Sequence, residues 1–197
     1  MLYDIAIIGG GASGMMASIS ASLANDLKVV ILEKNDSLGC KLLITGQGRC
    51  NITNSNSIKE TLKKYSKDEA KFLKHSFYNL NNEELLDIFR TKGLEFKEEE
   101  NRRVFPVTDK AQSVLDILKS YLKDKKVDIL YNFNVCAVKL NDDNFFIIKS
   151  ENNSFITSRK LIVATGGATY PLTGSTGDGC QIAQKLNHNP GLLLNHY

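Results

Sequence analysis

Asp4-Ile5-Ala6-Ile7-Ile8-Gly9-Gly10-Gly11-Ala12-Ser13-Gly14 carries an apolar run straight into glycines at the spacing G-x-G-x-x-G. A strand ending at Gly9 can turn sharply, the backbone at Gly11 can close on a pyrophosphate, and Gly14 lets the next helix pack tightly against the sheet. That helix is expected from about Ala12 to Ala24. Its first turn, with Ala12 and Ser13, would aim unpaired amides and the positive end of the helix dipole at the phosphates. Glycine clusters are also ordinary turns, so the surrounding sequence has to support the reading.

Lys28-Val29-Val30-Ile31-Leu32 reads as a second buried strand ending in Glu33, with eighteen residues between Gly14 and Glu33. An acid at that distance accepts hydrogen bonds from the ribose hydroxyls of an adenosine dinucleotide and repels the extra phosphate of NADP. The alternative is an acid that only ends a strand in water. The pattern selects FAD or NAD over NADP.

With 197 residues and 42% hydrophobic content the chain can bury the core of one domain, expected to span 1–197. A net charge of +3 from 25 basic and 22 acidic residues is too small and too mixed to call for a nucleic-acid partner. The basic stretch Lys59 to Lys74 fits a solvated helix face. The start lacks a basic leader region and no run reaches membrane-span length, so a cytoplasmic protein is expected. Cys40, Cys50, Cys136 and Cys180 form no C-x-x-C pair, and with three histidines they give no metal spacing. Cys40 and Cys50 bracket a glycine-rich loop and could form a redox disulfide; reduced thiols are the default expectation.

From Asp36 to Asn54 the chain has no sustained period, which suits a loop at the open ends of the strands. A helical insertion is expected over about 55–125. Apolar spacings run through Phe72, Phe77 and Leu80, then Leu85, Leu86, Ile88 and Phe89. Asn81 and Glu84 read as a capping pair, and Gly93 as a stop. Within the insertion a helix from about Lys110 to Lys123 would place Val114, Leu115, Leu118, Tyr121 and Leu122 on one face, capped by Asp109. The apolar faces of these helices are expected to be core. A strand and β-meander follow over 127–159, with runs at Val135 to Leu140, Phe145 to Ser150 and Phe155 to Ser158. A separate strand, Leu161 to Thr165, is halted by Gly166-Gly167, and a last helix opens at Ser175 to Gly179 and ends near Leu186. The fold class is α/β: a Rossmann-type parallel sheet with a helical insertion and a β-meander.

Together with Glu33-Lys34, the segments Gly46-x-Gly48-Arg49-Cys50-Asn51-x-Thr53-Asn54, Arg103-Val104-Phe105-Pro106, Ala164-Thr165-Gly166-Gly167 and Tyr170-Pro171-x-Thr173-Gly174-Ser175-Thr176-Gly177-Asp178-Gly179 resemble the YhiN/BaiN-like family of FAD-dependent oxidoreductases. The G-x-G-R-C-N-x-T-N loop is the specific part, and the other motifs are shared with glutathione-reductase-like and fumarate-reductase-like flavoproteins. The similarity runs to about residue 188. It implies FAD, with pyrophosphate at Gly9, Gly11 and Gly14, ribose on Glu33, adenine against the backbone of Val135, and the turn Thr165-Gly166-Gly167 passing close to the cofactor. Flavin or ribityl contacts would come from Gly46, Gly48, Arg49, Cys50 and Asn51, with Lys34, Lys41, Thr45, Gly177 and Asp178 completing the cofactor set.

The resemblance implies an NAD(P)H-linked reductase of activated carbon–carbon double bonds. No catalytic acid or base is identified: Arg49, Arg103 and Tyr170 are polar candidates that are equally suited to structural roles. A second G-x-G-x-x-G is absent from the 197 residues, so a nicotinamide would dock at the flavin face or on residues outside them. Three departures stand out. The family's chains are longer, with a later substrate domain and a return segment; Cys40 replaces a basic residue; and Asn189 to Tyr197 does not continue the family pattern. A truncated chain is therefore expected, with a separately encoded C-terminal half as a partner. The rival readings are a non-catalytic dinucleotide-binding remnant or one half of a split flavoprotein, and an NAD-binding dehydrogenase.

Overall fold

The computed structural model describes residues 1–23 and 26–189, so the expected sequence departure after Asn189 and the helix end at Ala24 lie outside the described residues. The strands are β1 Leu2–Ile8, β2 Val29–Leu32, β3 Thr53–Asn54, β4 Phe96–Glu99, β5 Arg103–Pro106, β6 Asp128–Leu130, β7 Val135–Leu140, β8 Phe146–Ser150 and β9 Phe155–Val163. The helices are α1 Ala12–Ala21, α2 Cys40–Ile44, α3 Ile58–Leu62, α4 Lys67–Asn79, α5 Asn82–Arg90, α6 Ala111–Asp124 and α7 Asp178–Lys185. Chain contacts divide these into two compact units, one formed by Met1–Leu42 with Leu118 onward, the other by Leu43–Ile117.

The first unit is built on a six-stranded sheet ordered β6-β2-β1-β9-β8-β7. β1 lies at its centre, parallel to β2 with Ile5 opposite Val29 and Ile8 opposite Leu32, and parallel to β9 on its other side. All four residues of β2 are buried, as in parallel sheets covered on both faces, where strands need no polar alternation. β6 extends the parallel part, and β7 and β8 add the antiparallel meander. Tyr3, Ala6, Ile8, Val30, Leu32, Val138 and Ile148 share one buried cluster.

One expectation is corrected here. Phe155–Val163 is a single strand and not two, and it ends before Thr165. It changes partners along its length: Phe155–Ser158 pairs antiparallel with β8, while Thr157–Val163 pairs parallel with β1. Arg159-Lys160 reads as a break because it is charged. Arg159 nevertheless stays in the strand by sending its guanidinium to Asp4 at 3.3 Å and over the Phe145 ring at 5.3 Å.

The second unit contains a three-stranded antiparallel sheet ordered β3-β5-β4, which the reading as a largely helical insertion did not anticipate. β4 is Phe-Lys-Glu-Glu, with no apolar alternation; pairing with β5, in register from Phe96 opposite Pro106 to Glu99 opposite Arg103, is what makes it a strand. The helical stretch divides into α3, α4 and α5, each opened by a reciprocal capping box: Ser57 with Glu60, Ser66 with Glu69, and Asn81 with Glu84. Gly93 closes the last of them at φ 83°. Two assignments to the core fail. Phe72 is 83% exposed and Leu80 is 41% exposed, because α4 buries no residue fully and turns only its Ala70–Leu73–Phe77 side inward. The face of α6 holds: Val114, Leu115, Leu118 and Leu122 are buried, with Tyr121 partly so. Asp109 does not cap α6. It sits at φ 52°, and its carboxylate is taken by Arg49 and Lys97.

Candidate dinucleotide site

The turn between β1 and α1 is shaped by three glycines with different jobs. Gly9 adopts φ 105°, and a Cβ there would meet the Ala164 carbonyl oxygen at 2.5 Å. A Cβ on Gly14 would overlap the Gly9 carbonyl oxygen, so only glycine lets α1 start this close to the turn. Gly11 has ordinary extended backbone and nothing within 4 Å of its Cβ position. Gly11 is also the N-cap of α1, with no side-chain cap and no acid in the first turn, and Ala12 and Ser13 are exposed. An uncapped helix start that faces open space is what an anion needs. The helix is closed from below by Ser18, whose hydroxyl donates to the Gly14 carbonyl at 2.7 Å.

Beside this turn, Glu33 directly follows β2 and is only 6% exposed. Its Oε2 accepts from the Gly10 N–H at 2.7 Å, and its Oε1 accepts from the Asn35 N–H and the Asn35 side-chain amide, both at 2.8 Å. Glu33 is therefore a buried, fixed carboxylate tied to the glycine turn and not a strand end in water. Gly166 follows β9 at φ 76°, with the Lys41 ammonium and the Ser175 hydroxyl nearby, and Gly167 opens onto free space. The Gly177 N–H returns to the Gly167 carbonyl at 3.2 Å. Val135 opens β7, half-buried against the unit's core.

Residues 3–190 match the model of the HI0933-like protein Rossmann domain. The chain belongs to that family.

This HI0933-like chain is 35% identical over 185 residues, 93% of its length, to the 3-dehydro-bile acid delta(4,6)-reductase of Clostridium scindens, covering 44% of that protein. It is 30% identical over 183 residues, 91% of its length, to the ribosomal RNA dihydrouridine synthase of Haemophilus influenzae, again covering 44%. The chain thus spans less than half the length of these relatives. Among solved structures, the open conformation of a flavocytochrome c3 fumarate reductase superposes with a TM-score of 0.60 at 19% identity, over 94% of this chain and 40% of that one, a likeness of fold. The family is one of FAD-dependent oxidoreductases, and its Rossmann domain is an FAD domain. The glycine turn fits that cofactor: space at Gly11, an uncapped helix start with Ala12 and Ser13 exposed, and the buried Glu33 acid beside them.

Among the expected site residues of this HI0933-like domain, the structure gathers Gly9, Gly11, Ala12, Ser13, Gly14, Glu33, Lys34, Lys41, Val135, Thr165, Gly166, Gly167, Gly177 and Asp178 in the first unit. Lys41 Nζ lies 3.5 Å from the Thr169 hydroxyl. Lys34 is already engaged: its ammonium donates to Thr176 Oγ1 at 2.8 Å and to Asp178 Oδ2 at 2.9 Å, fastening the chain before α7 to the end of β2. Asn35 belongs to no motif, and its contact with Thr173, like that of Lys34 with Thr176, is not legible in the sequence because the partners lie more than a hundred residues apart.

Thr45, Gly46, Gly48, Arg49, Cys50 and Asn51 belong to the second unit. There Gly46, Gln47, Gly48 and Cys50 all take positive φ, from 55° to 85°, a backbone that needs firm surroundings. Arg49 supplies them: its guanidinium pairs with Asp109 and Glu99 and lies 4.3 Å above the Phe105 ring. Donating hydrogen bonds to Glu99 and then to Asp109 raises the Arg49 pKa further. Arg49 is thus committed inside its own unit. Arg103 donates to the Glu100 carbonyl, and Tyr170 is an exposed left-handed residue at φ 58°. With its side-chain amide turned over, which satisfies both ends of the group, Asn51 donates to the Thr53 carbonyl at 2.9 Å and the Val104 carbonyl at 3.3 Å. Burial pushes the Cys50 thiol up, against a hydrogen bond with Thr45, and all four cysteines are free. Among the described residues no cluster is arranged to hold a metal, and no helix is long and apolar enough to cross a membrane.

The Lys34 fastening has a pH signature. Burial pushes the Asp178 carboxyl up, but hydrogen bonds from Lys34 and Thr176 and the lysine charge outweigh it, leaving the pKa below 3.8. A carboxyl depressed in the folded state contributes stability above its unfolded pKa, about 3.9, and loses it as pH falls through the folded value. Lys34→Met is expected to lower the melting temperature at pH 6 and to flatten its fall below pH 4. Superimposable melting profiles of the two proteins from pH 3 to 6 would refute this.

Proposed function

We propose that this chain is the cofactor-binding part of an FAD-dependent reductase that adds hydrogen across a carbon–carbon double bond conjugated to a carbonyl. The observation that carries the reading is the open, uncapped α1 N-terminus at Gly11 beside the buried Glu33 carboxylate. The names of two relatives support the substrate chemistry. A 3-dehydro bile acid with a delta(4,6) system and a uridine convertible to dihydrouridine both present a double bond conjugated to a carbonyl. FAD, once reduced by NAD(P)H, would supply the hydride for such a reduction.

The chain's own residues bind and orient. The amides of the first turn of α1 hold the pyrophosphate, and Glu33 fixes the ribose. Gly166 and Gly167 let backbone approach the cofactor where a side chain would obstruct it. The Lys41 ammonium near Gly166 adds a positive charge on the same side. Electrons would come from NAD(P)H docking directly at the flavin.

Purified protein is expected to be yellow and to release one FAD per chain on denaturation. FAD at a hundredfold over its dissociation constant should stabilise the fold by about 2.7 kcal/mol. Colourless protein with an unchanged melting temperature on FAD addition would refute the cofactor part. Addition of NAD(P)H under anaerobic conditions, followed by an enone acceptor, tests the rest: bleaching and recovery of the flavin band support the reductase. A second reading, favoured by the 44% coverage of the relatives, is an FAD-binding portion that does not turn over by itself; it predicts bound flavin that NAD(P)H never bleaches.

A further inference from the structure

Glu33 carries more hydrogen bonds than a ribose anchor can keep. An ionised carboxylate offers about four acceptor positions. Three are taken by the chain: Gly10 N–H on Oε2, and Asn35 N–H and Asn35 Nδ2 on Oε1. A ribose diol brings two O–H donors, so one of the present three must leave. The Gly10 N–H is fixed by the glycine turn. The Asn35 backbone is fixed as well, because its carbonyl accepts from the Asn132 N–H at 3.0 Å. The Asn35 side-chain amide is the donor free to rotate.

Its next acceptor is already in place. Asn35 Nδ2 lies 3.5 Å from the Thr173 carbonyl, a long hydrogen bond that improves if the amide turns away from Glu33. Gly174 permits this approach: a Cβ there would come within 2.9 Å of Lys34 Cε and 3.0 Å of Asn35 Nδ2. The segment it belongs to, Tyr170–Gly177, carries the fully exposed Leu172 and returns to Gly167 through the Gly177 N–H.

We propose that Asn35 is a positioning residue which couples the ribose site to the Tyr170–Gly177 segment: a diol on Glu33 hands the Asn35 amide to the Thr173 carbonyl and tightens that segment against the Gly166-Gly167 turn. The inference rests on the assignment of Glu33 as the ribose acceptor made above. Coupling of this kind is reciprocal, so the segment in turn favours the diol.

The chain has no tryptophan, so Leu172→Trp, at a fully exposed position, installs a single indole reporter. ADP is the probe, because it carries the ribose and pyrophosphate without a flavin to quench the indole. Saturating ADP is expected to raise the indole anisotropy, 2′,3′-dideoxy-ADP to bind without raising it, and Asn35→Ala to bind ADP with the rise lost. An equal rise with the dideoxy compound, no rise with bound ADP, or a full rise in Asn35→Ala overturns the coupling while leaving the dinucleotide site standing. Absence of ADP binding by calorimetry overturns the ribose assignment and the coupling together. The dideoxy arm uses the native Asn35, so the test stands even where Asn35→Ala folds poorly.

Discussion

Gly14→Ala is expected to destabilise the chain by at least about 3 kcal/mol, the upper range for overpacking a close contact, and to abolish FAD binding with it. Two effects oppose each other. Alanine gains up to about 1 kcal/mol over glycine inside a helix. Against that, the new methyl would overlap the Gly9 carbonyl oxygen, and neither atom can move alone, because Gly9 at φ 105° is itself wedged against Ala164. The clash wins, because it falls between two pieces of backbone and not on the end of a flexible side chain. Relieving it means lifting α1 off the turn, which withdraws the first-turn amides from the phosphate position. Chemical denaturation of the apo chain and an FAD titration check the two parts. A variant as stable as the parent would show that α1 does not begin where the structure puts it.

Gly11→Asp is expected to separate what Gly14→Ala destroys together: FAD affinity should fall more than about a hundredfold, roughly 3 kcal/mol, while the apo fold is kept or gains a few tenths of a kcal/mol. Gly11 has φ −74° and ψ −177°, a conformation open to any residue, and nothing stands within 4 Å of its Cβ position. Aspartate is a better N-cap than glycine and favours the positive end of the helix, so the apo protein loses nothing. The same carboxylate occupies the space left for the pyrophosphate and repels its charge. Gly11→Ala, with bulk but no charge, should fall between the two. The measurement is the melting temperature with and without FAD: the apo value should be unchanged or higher, and the shift on adding FAD lost. A preserved FAD shift in Gly11→Asp would place the phosphates elsewhere.

The glycine turn and Glu33 were legible because each is a local requirement: a φ that only glycine takes comfortably, a close approach that excludes Cβ, and an acid at fixed chain distance from both. The parallel β1–β2 pair, the meander and the α6 face were legible for a similar reason, since their periodicities survive in any eleven-residue window. The sheet β3-β5-β4 was not. Its strands are two to four residues long and β4 is nearly all charged, so the signal lies in the pairing partners, about fifty residues away for β3 and across a tight turn for β4, and not in the segment itself. Phe72 shows the converse failure: helical spacing says which residues share a face, and only packing says whether that face is covered.

The amino-acid sequence by itself determined that a strand, a glycine turn and a helix would make a dinucleotide cradle, that a buried acid would follow at the end of the next strand, and that the family is the HI0933-like one. These follow from backbone sterics and short-range periodicity, which act within a few turns of chain. Tertiary structure alone decided what each polar residue is free to do. Arg49, a flavin-contact candidate by resemblance, is held by Asp109, Glu99 and Phe105; Lys34 is spent on Asp178 and Thr176; and Glu33 shares its oxygens with Gly10 and Asn35. A side chain's charge is written in the sequence, but the partners that satisfy it come from strands and loops brought together only when the sheet closes.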